Sequence, residues 1–280
     1  MKQHARFAGL VLALGLLAAL SGQAQNVMTG TQARYMSYLQ NEPAWFDIII
    51  KNTGGQPLLF HPELGENRIE IEVYDSRGLE VESNGQPVLS EVLRVEPNRM
   101  KEVAVDLAEM FPIHREGRYK VQVVVHLNGD ELLAKSRMLS IVEGRKLGDY
   151  TLAGGEAKVV LKTLTRSRTQ HLLAEVRGRN TGTSVYDLGR YMQAYRPQVM
   201  DEGSTSVTIL HRRSPTQYCT SQFEFSGSPI GQKYLQVDGG DTSRLVRLVS
   251  MSNGQIGVEG AGVQRAPGPS RAAREEIEER

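Results

Sequence analysis

Hydrophobic and polar residues alternate along much of this chain with a period of two, and a helical period of 3.6 is rare. Residues 68–74 show the pattern most clearly, because Ile69, Ile71 and Val73 fall on one face and charged residues on the other. This alternation predicts antiparallel strands with one buried face. Residues 45–51 form a further apolar strand that stops at the turn cluster of residues 52–55.

Residues 106–142 contain one non-strand segment and a hairpin. Residues 106–111 predict one or two helical turns ended by Pro112. A strand over residues 119–126 then leads to Asn128-Gly129, a pair that favours a type I′ hairpin turn because both residues tolerate positive φ. We expect the return strand to run from about residue 131 to residue 142.

This order of a short helical crossover, the sequence Gly117-Arg118-Tyr119 and a hairpin resembles the end of an immunoglobulin-like sandwich. The resemblance covers residues 29–143 and implies a tyrosine corner, in which the Tyr119 hydroxyl bonds to upstream backbone. It is to the cysteine-free bacterial modules, since the cysteine pair of antibody domains is absent. Such a resemblance implies a fold and leaves the function open.

The second half also predicts short strands separated by Gly, Ser, Pro or Asp, with one helical turn expected over residues 186–192. The predicted fold class is therefore all-β with two domains: an N-terminal Ig-like antiparallel sandwich and a second antiparallel β domain. Their predicted limits are residues 27–143 and 149–262, with a joint at 144–148. Residues 266–280 are charged and poor in large apolar side chains, which predicts a disordered tail.

Residues 1–24 have the pattern of a cleavable signal peptide. A basic start at Lys2 and Arg6 precedes 14 apolar residues, and small residues lead to a predicted cut after Ala24. The apolar run is shorter than the about 20 residues that a membrane-spanning helix needs. Gln23 occupies the position where a lipoprotein signal requires cysteine. We therefore expect a secreted or periplasmic protein without stable membrane insertion after cleavage.

Charge and composition narrow the choice of partners. The chain has 33 Lys and Arg against 32 Asp and Glu, and removing residues 1–24 leaves 31 against 32. A near-neutral protein has no electrostatic case for binding nucleic acid. The short basic clusters at residues 166–168 and 211–213 are interpreted as solvated turns or strand ends.

The single cysteine, Cys219, excludes an intramolecular disulfide and is interpreted as a buried, inert thiol. His211 is the nearest histidine in sequence, but a separation of eight residues does not predict a contact. The histidines lack metal-ligand spacing, so no metal site is predicted. The histidines that remain after cleavage are His61, His114, His126, His171 and His211.

For the other candidate sites a structural role is also favoured over a catalytic or binding one. Residues 238–242, Asp-Gly-Gly-Asp-Thr, form the best cation-like loop, but a plain turn is favoured because further acidic positions are absent. Residues 154–156 precede a strand rather than a phosphate-binding helix. Ser226 lacks a nucleophile-elbow context. Glu70 and Glu72 are interpreted as solubilising charges, and Trp45 as a core residue. We predict no catalytic, cofactor-binding or metal-binding residues and no cofactor.

The preferred function is that of an exported, non-catalytic protein that binds another protein or an envelope component through strand edges or loops. One alternative is a module for a glycan or small ligand, bound in the loops after Asp201 or around Asp238. A hydrolase with a scattered site is the least favoured hypothesis. The sequence does not indicate the partner or the oligomeric state.

Overall fold

A computed structural model describes most of the chain after the predicted signal peptide. The described residues are 27–62, 65–152, 155, 157–178, 182–202, 205–237, 245–252 and 255–263. The predicted signal peptide, most of residues 154–156, the loop at 238–242 and the tail at 266–280 lie outside this set. None of the helices in the described part is long and apolar enough to cross a membrane.

Most of the described residues lie in strands and almost none in helices, which confirms the all-β fold class. The first half contains β1 (Val27–Ala33), β2 (Ser37–Leu39), β3 (Trp45–Asn52), β4 (Leu58–Phe60), β5 (Arg68–Tyr74), β6 (Leu93–Val95), β7 (Met100–Asp106), α1 (Leu107–Met110), β8 (Gly117–Leu127), β9 (Asp130–Leu133) and β10 (Arg137–Val142). The second half contains β11 (Arg145–Leu152), β12 (Ala157–Arg166), β13 (Thr169–Gly178), β14 (Thr183–Arg190), β15 (Gln198–Glu202), β16 (Ser206–Arg212), β17 (Gln217–Glu224), β18 (Pro229–Gln236), β19 (Arg247–Ser250), β20 (Ile256–Glu259) and β21 (Gly262–Val263).

The chain divides into two compact units. The first comprises the described residues of Met1–Arg34, Ala44–Ile113 and Arg118–Leu139, and the second those of Tyr35–Pro43, His114–Gly117 and Ser140–Arg280. The second unit thus includes two segments from the first half of the sequence. The domain limits expected from sequence remain a prediction.

In the first unit, β1, β3 and β7 form one antiparallel sheet, and β5 lies at the edge of another sheet beside β8. The alternation of β3 buries Phe46, Ile48 and Ile50 completely. On β5, Ile69 and Val73 are buried, as the alternation predicted. Trp45, expected in the core, is 37% exposed at the start of β3, with the Arg34 guanidinium over its ring. The expectation for Trp45 was therefore wrong.

The predicted hairpin and helical turn are both present. Asn128 and Gly129 have φ values of 52° and 88°, as a type I′ turn requires. The return segment is split into β9 and β10, whereas one continuous strand was expected. Between β5 and β7 the one strand among the described residues is β6, which pairs with β4.

Asp106 caps the single-turn helix α1 and also ties it to Ala44, the residue before β3. Its Oδ1 accepts hydrogen bonds from the Ala108 N–H at 2.9 Å and the Ala44 N–H at 2.7 Å. We expect Asp106→Ala to lower the free energy of unfolding by about 1–3 kcal/mol, because both donors lose their acceptor. Asp106→Asn retains an oxygen acceptor and is the matched control. Equal losses for the two variants in urea titrations would show that charge, rather than capping, matters.

The second unit contains two facing sheets, in the orders β11-β12-β13-β14 and β15-β16-β17-β18-β21. Leu161 and Leu172 from the first of these sheets pack with Ile209 and Phe223 from the second in one buried cluster. On the other face of the first sheet, Leu39 from β2 packs on Leu173 and Val185. The short hairpin of β19 and β20 lies on the outer face of the second sheet.

The helical turn expected over residues 186–192 is instead mostly part of β14. Tyr186 pairs with Ala174, and the register shifts between Leu172 and Leu173. Gly189 has a φ of 93°, which suits a bulge. This irregularity inserts an extra residue into the strand and hides its alternation in the sequence.

Candidate functional site

The outer edge of β5 is open over its central residues. At one end, the His61 N–H donates to the Asn67 carbonyl at 3.0 Å; at the other, the Val81 N–H donates to the Val73 carbonyl at 2.8 Å. Because backbone groups of alternate residues point to the same side of a strand, Ile69 and Ile71 direct their N–H and C=O groups to this edge. Neither residue has a backbone or side-chain partner on this side among the described residues.

A groove of about 640 Å³ runs along this edge. One wall is β5 itself, and the other comes from the irregular segment 83–88 and from the end of α1. The groove combines apolar surface, mainly from Ile71 and Val88 beside the nearly buried Met110 and Phe111, with several charged side chains. Those charged residues are Arg68, Glu70, Glu72 and Glu80. The β5 groove therefore carries an excess of negative charge.

Glu70 is held in its ionised form. The Arg68 Nε lies 2.6 Å from Glu70 Oε1, and His126 Nε2 lies 2.8 Å from Oε2. The hydrogen bond from Arg68 is the largest cause that lowers the pKa of Glu70, and the one from His126 adds to it. Glu70 and Glu72 thus place negative charge beside an open strand edge. The sequence had suggested only that these charges increase solubility.

A second constellation is a buried ionic cluster in the second unit. The Arg166 Nη2 donates to both carboxylate oxygens of Glu42, and Nη1 donates to Asp187 Oδ2 at 2.6 Å. His171 Nδ1 lies 2.9 Å from the same Asp187 oxygen. The Arg166 guanidinium also stacks on the Tyr35 ring, 4.2 Å from its centroid.

The electrostatics of this cluster follow from its burial. Burial raises the pKa of Glu42, although Arg166 opposes the shift. Burial also disfavours ionised Asp187, but the hydrogen bond from His171 and the charge of Arg166 outweigh it, so the pKa of Asp187 is lowered. The Arg166 side chain is only 1% exposed. The cluster therefore fixes the segment Tyr35–Pro43 on the outer face of the sheet and offers no access to a substrate.

Arg166 and Arg212 correct the interpretation of the basic clusters as solvated. Arg212 is 4% exposed, and its guanidinium lies between the rings of Tyr195 and Tyr218. Its Nε donates to the Ser214 carbonyl at 3.0 Å. Both arginines make buried contacts, which no local sequence pattern had indicated.

His211 and Cys219 are directly paired across β16 and β17, a proximity that their sequence separation did not predict. Both are buried, at 2% and 0% exposure. Burial, with a further contribution from the charge of Arg213, lowers the pKa of His211 to about 4, while burial raises the pKa of Cys219. These directions favour a neutral imidazole beside a neutral thiol, whereas a nucleophilic cysteine needs a lowered pKa. The burial predicted for Cys219 is confirmed.

The remaining candidate residues are not brought together. The described residues contain no group of three or more His, Cys, Asp or Glu side chains that could hold a metal ion. The Ser226 hydroxyl donates to Glu224 Oε2 at 3.0 Å within its own turn. The loop at residues 238–242 falls outside the described part.

Comparisons with known proteins add little to this geometry. No family model and no curated protein matches the chain. One solved structure is similar at 10% sequence identity with a TM-score of 0.18: an uncharacterized protein from Listeria monocytogenes in complex with glucose, magnesium and calcium. The similarity covers 71% of this chain and 18% of the Listeria chain. The chain thus spans under a fifth of that protein's length, and a TM-score this low carries no argument about fold or ligand.

Proposed function

We propose that this chain is an exported, non-catalytic protein that binds another protein by accepting one of its segments as an added strand on β5. The observation that carries the proposal is the open edge at Ile69 and Ile71, which offers two N–H donors and two C=O acceptors beside a groove. Such an edge is a ready template for strand addition. Export rests on the signal-like residues 1–24, and an Ig-like character of residues 29–143 would be in keeping with this role.

At one end of β5, residues 80 and 81 of the chain already pair with the edge that a partner strand would extend along. Glu80 forms an isolated antiparallel bridge with Tyr74, and the Val81 N–H bonds to Val73. The chain then leaves the edge, and residues 83–88 form the far wall of the groove. A partner segment can therefore enter the space that opens between β5 and this wall.

The groove also limits the chemistry of the partner. Three carboxylates face one arginine along it, so a basic segment is favoured by charge complementarity. In an added strand, alternate side chains point to opposite sides. The expected partner segment therefore alternates basic residues with apolar ones that contact Val88, Met110 and Phe111.

A synthetic peptide of alternating Lys and Val is expected to bind the mature protein, and its Glu/Val counterpart is expected not to bind. Fluorescence anisotropy measures the affinity, which should fall as salt is added. Amide hydrogen exchange provides the decisive readout. The Ile69 and Ile71 amides should exchange more slowly in the complex, because their N–H groups then donate to the peptide.

Charge-reversal variants separate the β5 groove from general electrostatic attraction. Glu72→Lys combined with Glu80→Lys should weaken peptide binding roughly tenfold or more. Glu102→Lys, an exposed position on β7, is the control and should have little effect. Unchanged exchange at Ile69 and Ile71, or equal losses for the two sets of variants, would contradict the proposal.

A further inference from the structure

The second unit contains a cleft that the proposed strand addition does not use. It has a volume of about 600 Å³ and lies between the outer face of β15–β18 and the hairpin of β19 and β20. Gln198 holds the hairpin in place, since its Nε2 donates to the Val246 carbonyl at 3.0 Å and its Oε1 accepts from the Leu248 N–H at 2.8 Å. The cleft is thus a defined space between two fixed walls.

The lining of the cleft combines apolar and polar side chains in similar measure. The apolar lining comes from both walls and consists of Ile230, Leu235, Leu248, Met251, Ile256, Val258 and Ala261. Thr208, Thr220 and Lys233 supply hydroxyl and ammonium groups from β16, β17 and β18. Apolar surface beside convergent polar groups is typical of a small-molecule site.

The carboxylate in the cleft is already engaged. Glu202 Oε2 accepts from Gln222 Nε2 at 2.7 Å, and Oε1 accepts from the Ile256 N–H at 3.3 Å. Lys233, by contrast, has no ion-pair partner among the described residues, and the Thr208 hydroxyl has no hydrogen-bond partner there. Of the two charged side chains that line the cleft, Glu202 and Lys233, it is therefore the Lys233 ammonium that is left for a ligand.

We propose that this cleft binds an aliphatic carboxylate of medium chain length. The carboxylate pairs with the Lys233 ammonium and accepts a hydrogen bond from Thr208, while the chain lies against Leu235, Ile256 and Val258 under the hairpin. No aromatic side chain is among the described residues that line the cleft, so it lacks the stacking surface that favours a sugar ring.

Octanoate and octanamide are suitable probes because they differ only in the charged head group. Octanoate is expected to raise the unfolding temperature with increasing concentration and to shift the methyl NMR signals of Ile256 and Val258. Octanamide should bind a few-fold more weakly, since it cannot pair with Lys233. These measurements use the mature protein without any peptide, so their outcome is independent of strand addition to β5.

Variants test the head-group site. Lys233→Gln and Thr208→Val should each weaken octanoate binding a few-fold, because Lys233 is exposed and its ion pair is partly screened by solvent, with octanamide binding unchanged by Lys233→Gln. Lys101→Gln, an exposed lysine of the first unit, is the control and should bind octanoate as the parent does. Absence of binding at millimolar octanoate, methyl shifts outside the cleft, or equal affinities for both probes would overturn the proposal.

Discussion

Replacing Arg166 by methionine is expected to lower the free energy of unfolding by about 3–5 kcal/mol. Methionine approximates the aliphatic part of the side chain but removes the guanidinium that bonds to Glu42 and Asp187. Both carboxylates then lose the buried guanidinium, and the burial that raises the pKa of Glu42 is opposed only by the hydrogen bond from the Leu39 N–H. Urea unfolding of parent and variant at neutral pH measures the loss.

The effect should also be visible locally, in the segment Tyr35–Pro43. Its Glu42 reaches Arg166, and the Leu39 N–H donates to Glu42 Oε2 at 2.8 Å, so loss of Arg166 should speed amide exchange at Leu39. Arg94→Met is the matched control, because the Arg94–Glu96 pair has a similar distance but more than half of each side chain is exposed. Exposed pairs contribute little, so this change should stay within about 0.5 kcal/mol. A loss below about 1 kcal/mol for Arg166→Met would contradict a stabilising role for the cluster.

The second large effect concerns pH, and it should arise from His211. In the folded protein the pKa of His211 is about 4, whereas an unfolded histidine titrates near about 6.5. Between these values the unfolded state binds a proton that the folded state excludes. The folded state is therefore destabilised as pH falls from about 6.5 to about 4, and the loss approaches about 3 kcal/mol at the acid end.

His211→Leu should remove this contribution. Neither ring nitrogen of His211 makes a well-formed hydrogen bond within the described residues, and the backbone groups of Leu188 and Arg190 interact with the ring only weakly, so an apolar replacement breaks no strong hydrogen bond. We expect the variant to match or exceed the parent at pH 7 and to be clearly more stable than the parent at pH 4.5. Carboxylates such as Glu175 and Asp187 have lowered pKa values and also lose stability on acidification, but they do so in both proteins.

The comparison is made on free energies from urea titrations at a series of pH values. His61→Gln changes an exposed histidine and should leave the pH profile of the parent intact. If His211→Leu and the parent show the same slope between pH 6.5 and pH 4, the imidazole is not held neutral by burial and the prediction is wrong.

The strands that the sequence predicted best are those with one buried face. The alternation of Ile69, Ile71 and Val73 is a local property, because a strand with one face toward the core must repeat every two residues. The turn at Asn128-Gly129 and the capped helix after Asp106 could also be predicted from the sequence, since both depend on the conformational preferences of a few adjacent residues. The prediction from sequence was wrong where an irregularity interrupted the alternation of a strand, as at the bulge of β14.

The sequence did not predict most features of the candidate sites. Whether Ile69 and Ile71 bond to a neighbour depends on which strand lies beside β5, and that is decided by the order of strands in the sheet. One weak sequence signal for the groove exists. Residues 83–88 lack the alternation of a strand, which is consistent with a segment that lines the groove without pairing to β5. Arg166 and Glu42 are 124 residues apart in the chain, so nothing local indicated their ion pair.

The sequence alone therefore determined that the chain forms strands, where several of them turn, and that Cys219 can form no internal disulfide. The hydrophobic period and the turn preferences depend on a few neighbouring residues, so they can be read from the sequence of each segment. Tertiary structure decided which edge stays open, which charges are buried, and that His211 lies opposite Cys219. Strand order and register bring distant residues together, and the energy of each contact depends on burial, which no single segment of the sequence contains.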